Sequence, residues 1–188
     1  MKNKSAVYVV DKIRITHRDK NGKIIRDRWL NQGLWHRFLV KLGLAHNTMT
    51  NVGFMAMASR IGYQGTGITA TNIAIFNAVG IGQGTTAASA SDTQLQSSLA
   101  INQSGVTLSL VTTTQTNDTL QAVHVFSAAN DSGLSGSSNV TEVGFFNGVT
   151  NGTSIMCLHQ VFSPADYCNW ANGDTESITI QLKCEQGS

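Results

Sequence analysis

Proline is almost missing from this chain: Pro164 is the single one in 188 residues. Charge is sparse as well, at 13%, about half the usual share of a globular domain. The three cysteines, Cys157, Cys168 and Cys184, are too few and odd in number for a disulfide framework, and no two form a C-x-x-C pair. They are expected to be buried or half-buried thiols of a protein made in a reducing cytoplasm. No apolar run approaches the ~20 residues of a membrane span. Ala6 to Val10 is too short for a signal-peptide core, so the chain is expected to be soluble when made and to have no membrane partner.

Catalytic signatures are also lacking. There is no G-x-S-x-G elbow. Gly80-x-Gly82-x-Gly84 has the wrong spacing for a dinucleotide loop, and no helix with a ribose-binding acid follows it. Cys157 and His159 would share one face of a strand, with Cys168 as a further candidate, but a fourth zinc ligand is missing. His124, in an alternating strand, reads as a satisfied sheet histidine. Asp166, Asp174 and Glu176 lie near one another without the opposed geometry of a glycosidase pair. No enzyme activity, cofactor or metal is expected.

What is present points to strands. Hydrophobic residues make up 41% of the chain, enough for a packed core. The polar remainder is mainly Ser, Thr, Asn, Gln and Gly, which suit strands and the turns between them. Asp11, Ile13 and Ile15 alternate with Lys12, Arg14 and Thr16, the period of a half-buried strand. Asp19-Lys20-Asn21-Gly22 is a hairpin turn, and Lys23 to Leu30 returns. Leu34, Trp35, Phe38, Leu39 and Leu42 then fall at helical spacing, between a cap at Asn31 and a stop at Gly43. Phe54, Met55, Ala58 and Ile61 suggest a second short helix.

Strands are expected again at Ile73 to Ile81, Val106 to Gln115, Thr119 to Ala128, Val140 to Phe146, Thr153 to Phe162 and Thr175 to Cys184. Thr85 to Ser98 reads as a crossing loop with one helical turn. The expected fold is all-β: an antiparallel β-sandwich or jelly roll with a short helical insert near the N-terminus. Residues 1–62 would form a basic hairpin plus a helical docking element, and residues 63–188 the sandwich body.

The net charge of +2 hides a split. Twelve of 13 Lys and Arg, but only three of 11 Asp and Glu, lie in residues 1–60, giving 12 − 3 = +9 there and 1 − 8 = −7 beyond. Arg14, Arg26, Arg28, Trp35 and Arg37 are the expected docking residues for an acidic partner, including a neighbouring copy of the chain. Nucleic acid is the less favoured partner, because no nucleic-acid motif is present. Tyr167 and Trp170, in the loop Asp166 to Ala171, either anchor that loop or stack on a receptor or glycan.

Two stretches carry a family resemblance. One runs from Val79 through Gly80-Ile81-Gly82-Gln83-Gly84-Thr85-Thr86 to Asp92-Thr93-Gln94-Leu95. The other is Val140-Thr141-Glu142-Val143-Gly144-Phe145-Phe146, followed by Gly152-Thr153 and by Gly173-Asp174 before the last strand. Together they resemble small tailed-bacteriophage structural proteins, with a "G-x-G-T-T-A-x-S-x-x-D-T-x-L" segment and an "E-x-G-L-F" strand. Here Phe145-Phe146 replaces Leu-Phe, and Ser97 and Ser98 stand where an acid often follows.

The resemblance implies a non-enzymatic virion protein made in the host cytoplasm. It would oligomerise with itself and with other virion proteins on the particle exterior, as a head-decoration or neck and tail component. The alternative is a receptor- or glycan-binding module of the tail. In either case Gly80, Gly82 and Gly84 would let a strand leave the sheet tightly. Asp92 would bond to its own loop. Glu142, in the same strand as Gly144, would accept from loop amides and pin the crossing loop to the sheet.

Overall fold

In a computed structural model, residues 7–30, 48–50, 53, 75–113, 115–131, 134 and 138–186 are described. The strands are β1 (Val7–Arg18), β2 (Ile24–Leu30), β3 (Thr48–Met49), β4 (Ala78–Gly82), β5 (Ser98–Asn102), β6 (Thr107–Val111) and β7 (Thr119–Ser127). They continue with β8 (Ser138–Val140), β9 (Glu142–Phe146), β10 (Met156–Val161), β11 (Cys168–Trp170) and β12 (Thr175–Gln186). A 3₁₀ turn, Pro164–Asp166, precedes β11. The expected helices over 31–43 and 54–61 lie outside the described residues.

Every strand pairing among the described residues is antiparallel, in two five-stranded sheets and a short ribbon. The first sheet has the order β2-β1-β12-β7-β6, the second β3-β10-β9-β4-β5, and β11-β8 form the ribbon. The basic hairpin therefore belongs to the sandwich, because β1 pairs with β12 along all of Val7–Arg18. Its turn closes through Asp19, whose carboxylate accepts from the Asn21 and Lys23 amides, while Gly22 supplies a φ of +79°.

The core lies between the sheets. Ile13, Ile15, Ala122, Phe126, Ile178 and Ile180 from the first face Val79, Ile81, Val143, Phe145 and Leu158 from the second. In the first sheet these apolar positions alternate with half-exposed ones, the signature of a sheet wet on one side. The second sheet differs: every residue of β4 and β9 is buried. Its outer face is covered by residues 83–97, with Leu95 seated among Ala78, Phe146 and Met156.

Three expectations change. The segment 85–98 contains no helical turn. Instead it runs flat across the second sheet, because its polar groups bond to that sheet. Val140 to Phe146 is not one strand. It breaks at Thr141, whose amide bonds to the Gly82 carbonyl and whose hydroxyl bonds to the Gly84 carbonyl, so β8 turns away to pair with β11. Cys157 and His159 do not share a site. A register shift between Met156 and Leu158 places both Cys157 and Leu158 in the core, and His159 reaches the opposite side.

Candidate functional site

The outer face of the second sheet is shaped by missing side chains. None of Gly80, Gly82, Gly84 and Gly144 has a positive φ, so conformational freedom is not why glycine stands there. Space is the reason. A Cβ on Gly82 would sit 2.5 Å from the Ser97 carbonyl oxygen, and one on Gly84 2.6 Å from the Gln96 Cβ. On Gly80 it would meet Ile101 and Phe146 at 2.9 Å, and on Gly144 the Phe146 ring at 2.6 Å. Gly80, Gly82 and Gly144 keep the outer face of the sheet low, and Gly84, in the strap 83–97, lets the strap lie against it.

Glu142 fastens the strap. Its Oε1 accepts from the amides of Gly84 at 2.8 Å and Ser97 at 2.9 Å, and its Oε2 from the Gln96 amide at 3.1 Å. The same Oε2 lies 2.9 Å from His159 Nε2, and His159 Nδ1 is 2.6 Å from Asp92 Oδ2. Asp92 also accepts from the Ser89 amide. Asn151 holds the strap from another loop, accepting from the Leu95 amide and donating to the Leu95 carbonyl.

Both nitrogens of His159 face carboxylate oxygens, which only accept, so both must donate and the ring is an imidazolium. Burial alone would lower the His159 pKa, but Glu142 and Asp92 raise it above its usual value. Burial likewise pushes the Glu142 carboxyl up, and the His159 contact with three backbone amides brings it below the usual range. General acid–base chemistry needs a ring nitrogen that can reach a substrate. His159 is 0% exposed and both of its nitrogens are committed. The triad is an electrostatic strut.

A second polar cluster clamps residues 163–174 to the end of the first sheet. His17 Nε2 is 2.9 Å from Asp174 Oδ2, which also accepts from the Ala171 amide. Arg28 pairs with Asp166 at 2.7 Å, and Arg26 donates to the Tyr167 carbonyl at 2.8 Å. Glu176 is buried beside Cys168, and burial pushes its carboxyl up to about 8. Burial first, and then the neighbouring Glu176, also raise the Cys168 thiol. Across the sheets, Asp131 accepts from Asn102 and from the Ser127 amide, with His124 Nε2 at 3.6 Å. Burial would raise Asp131, but these neighbours hold it below its usual range. Among the described residues no group of three or more His, Cys, Asp or Glu could hold a metal.

These contacts redistribute the expected docking residues. Arg26 and Arg28 are spent on the 163–174 clamp. Arg14 makes a two-point bond to Asp27, at 2.7 and 2.6 Å, and lies over the Trp29 ring. Trp35 and Arg37 lie outside the described residues. Trp170 is 1% exposed and packs in the core beside Val140 and Cys168, and Tyr167 is half-buried against the same cluster. The loop aromatics therefore anchor their own segment, and Trp170 presents no stacking surface to a receptor.

The acidic excess beyond residue 60 is also internal. Asp131, Glu142, Asp174 and Glu176 are buried. Asp92 and Asp166 face His159 and Arg28, and Asp118 accepts from its own turn, from the Thr113 and Gln115 amides. The partly exposed acids among the described residues there, Asp92, Asp118 and Asp166, are thus already bonded within the chain. What stays open is the outer face of the first sheet. It holds a groove of about 380 Å³ lined by Arg14, Thr16, Arg18, Ile24, Val125 and Ser177 among others.

The strut around His159 is hidden from the sequence because a bulge reverses the side-chain alternation at Cys157. Its traces there are its two carboxylates, Glu142 beside an apolar strand and Asp92 in the crossing loop. Compared with known proteins, no family model, no curated protein and no solved structure matches this chain.

Proposed function

We propose that this chain is a non-enzymatic structural protein of a tailed-phage particle. It would sit on the exterior as a head-decoration or neck and tail component, bound to other virion proteins and to itself. The resemblance of the Gly80–Leu95 and Glu142–Phe146 segments supplies the particle. One structural observation carries the rest: the His159 and His17 clusters hold a strap and a loop of the chain itself, while one broad sheet face stays open. That face presents Lys12 and Arg18, with Arg14 paired to Asp27, beside Ile24 and Val125. A cationic surface with apolar patches suits docking on an acidic protein neighbour. The glycan-binding alternative loses support with Trp170 buried.

The test is to raise antibodies to the purified chain and examine particles from cells carrying the sequence. Co-sedimentation with DNA-filled particles, and antibody labelling of their outer surface by electron microscopy, is the expected result. Absence of the chain from every particle fraction would refute the virion role.

A further inference from the structure

The first sheet ends in two edges that are built very differently. β2 is an edge with Arg26, Asp27 and Arg28 in its middle and a register shift opposite His17 and Arg18. Charges and irregular register both discourage pairing with another strand. β6, at the other end, has none of these devices. It is Thr-Leu-Ser-Leu-Val, regular in its pairing with β7, and among the described residues no strand lies on its far side. No charged residue occurs anywhere from Thr93 to Asn117. Leu110 is 61% exposed and Leu108 37%, although both lie on the side of the sheet that carries Ala122 and Leu120.

We propose that the β6 edge is the surface through which two copies of this chain pair, strand to strand and antiparallel, about a twofold axis at Ser109. The partner is a second copy for three reasons. The strand is self-complementary: in this register Leu108 of each copy lies opposite Leu110 of the other, so four exposed leucines bury one another beside the core. The strand carries no charge, so like copies do not repel, whereas the open face has Lys12 and Arg18 in excess over the Arg14–Asp27 pair. And the described acidic residues beyond residue 60 are buried or already bonded within the chain, which leaves little for basic-to-acidic docking between copies. Pairing joins two five-stranded sheets into one of ten and satisfies the open backbone groups of both edges. The inference deepens the self-association reading proposed above and is independent of the particle.

The experiment measures mass in solution by light scattering over a range of concentrations, for the wild type and for Leu110→Lys, which adds the charge that protects natural edges. Ser109→Cys is oxidised in parallel, with Lys20→Cys in the opposite hairpin turn as control. The expected result is a wild-type mass of twice the chain, half that mass for Leu110→Lys with unchanged melting, and a cross-linked dimer for Ser109→Cys alone. A wild type that stays monomeric overturns both the inference and the self-association reading. An oligomer that keeps its mass in Leu110→Lys overturns the β6 interface and leaves self-association standing. If Leu110→Lys does not fold, the cysteine pair decides: equal cross-linking at positions 109 and 20, or none at 109, overturns the interface.

Discussion

Replacing Glu176 with Gln should change stability by an amount that moves in the variant's favour as pH rises. Glu176 is fully buried in the folded chain, and burial pushes its carboxyl up to about 8 from an ordinary 4.5. Between those values the folded state holds a proton that the unfolded state has released. Stability therefore falls as pH rises from about 4.5 to about 8, then levels off. Each decade of proton activity corresponds to about 1.4 kcal/mol, so the cost is about 1 kcal/mol at pH 5, about 3 at pH 7 and about 5 above pH 8. Glutamine has nearly the same shape and does not titrate. Its buried amide adds a constant penalty of about 1–3 kcal/mol that does not vary with pH. The informative quantity is thus the slope. Urea unfolding of both proteins from about pH 5 to pH 9, with linear extrapolation, should show the variant gaining about 4 kcal/mol on the wild type across that range. Cys168 does not confuse the result, because burial holds its thiol above the range. A stability difference that stays constant over the whole interval would refute the reasoning.

Glu142→Gln should cost about 3–5 kcal/mol, because it leaves the His159 imidazolium buried with one carboxylate fewer; limited proteolysis should then cut within residues 83–97. The strap should be tightest at intermediate pH. Glu142 is lowered, so its contribution is full above about 4.5 and is lost as pH falls through the depressed value. His159 is raised, so its contribution is full below about 6.5 and is lost as pH climbs through the elevated one. Amide hydrogen exchange at Gly84, Gln96 and Ser97 should report both limits. Gly82→Ala should cost about 1–3 kcal/mol by chemical denaturation, since the added methyl meets the Ser97 carbonyl and Glu142. Trp170→Ala should cost about 3–5 kcal/mol by the same measurement, as expected for emptying a fully buried aromatic site.

Strands with one wet face are legible in the sequence with their inward side chains, and fully buried ones only as apolar runs. β1, β7 and β12 follow the apolar–polar alternation of the sequence because the first sheet is covered on one side only. β4 and β9 are visible as apolar runs, but no periodicity can show that a strap lies over them. β5 and β11 leave no such trace. The first is half-buried through most of its length and joined directly to the strap, and the second is three residues long and set by a partner far away in sequence. Glu142 stands out because an acid flanking an apolar strand needs donors. His159 reads together with Cys157 because a bulge cannot be seen in alternation. Trp170, among polar neighbours, reads either as a loop anchor or as a receptor contact, and the β8–β11 ribbon settles it by turning the ring inward.

The pairing of β1 with β12 also fixes how the molecule answers to a pull. Val7 stands opposite Gln186, and Arg18 stands opposite Thr175. Tension applied at Val7 and Gln186 therefore acts across the ladder from one end. The pairs would separate in succession, as in a zipper, instead of shearing together. Opening would proceed from the Val7–Gln186 end toward the His17–Asp174 clamp, and the core between the sheets would be the last region to feel it. A chain attached to its surroundings through those strand ends can yield locally while its β6 edge stays intact.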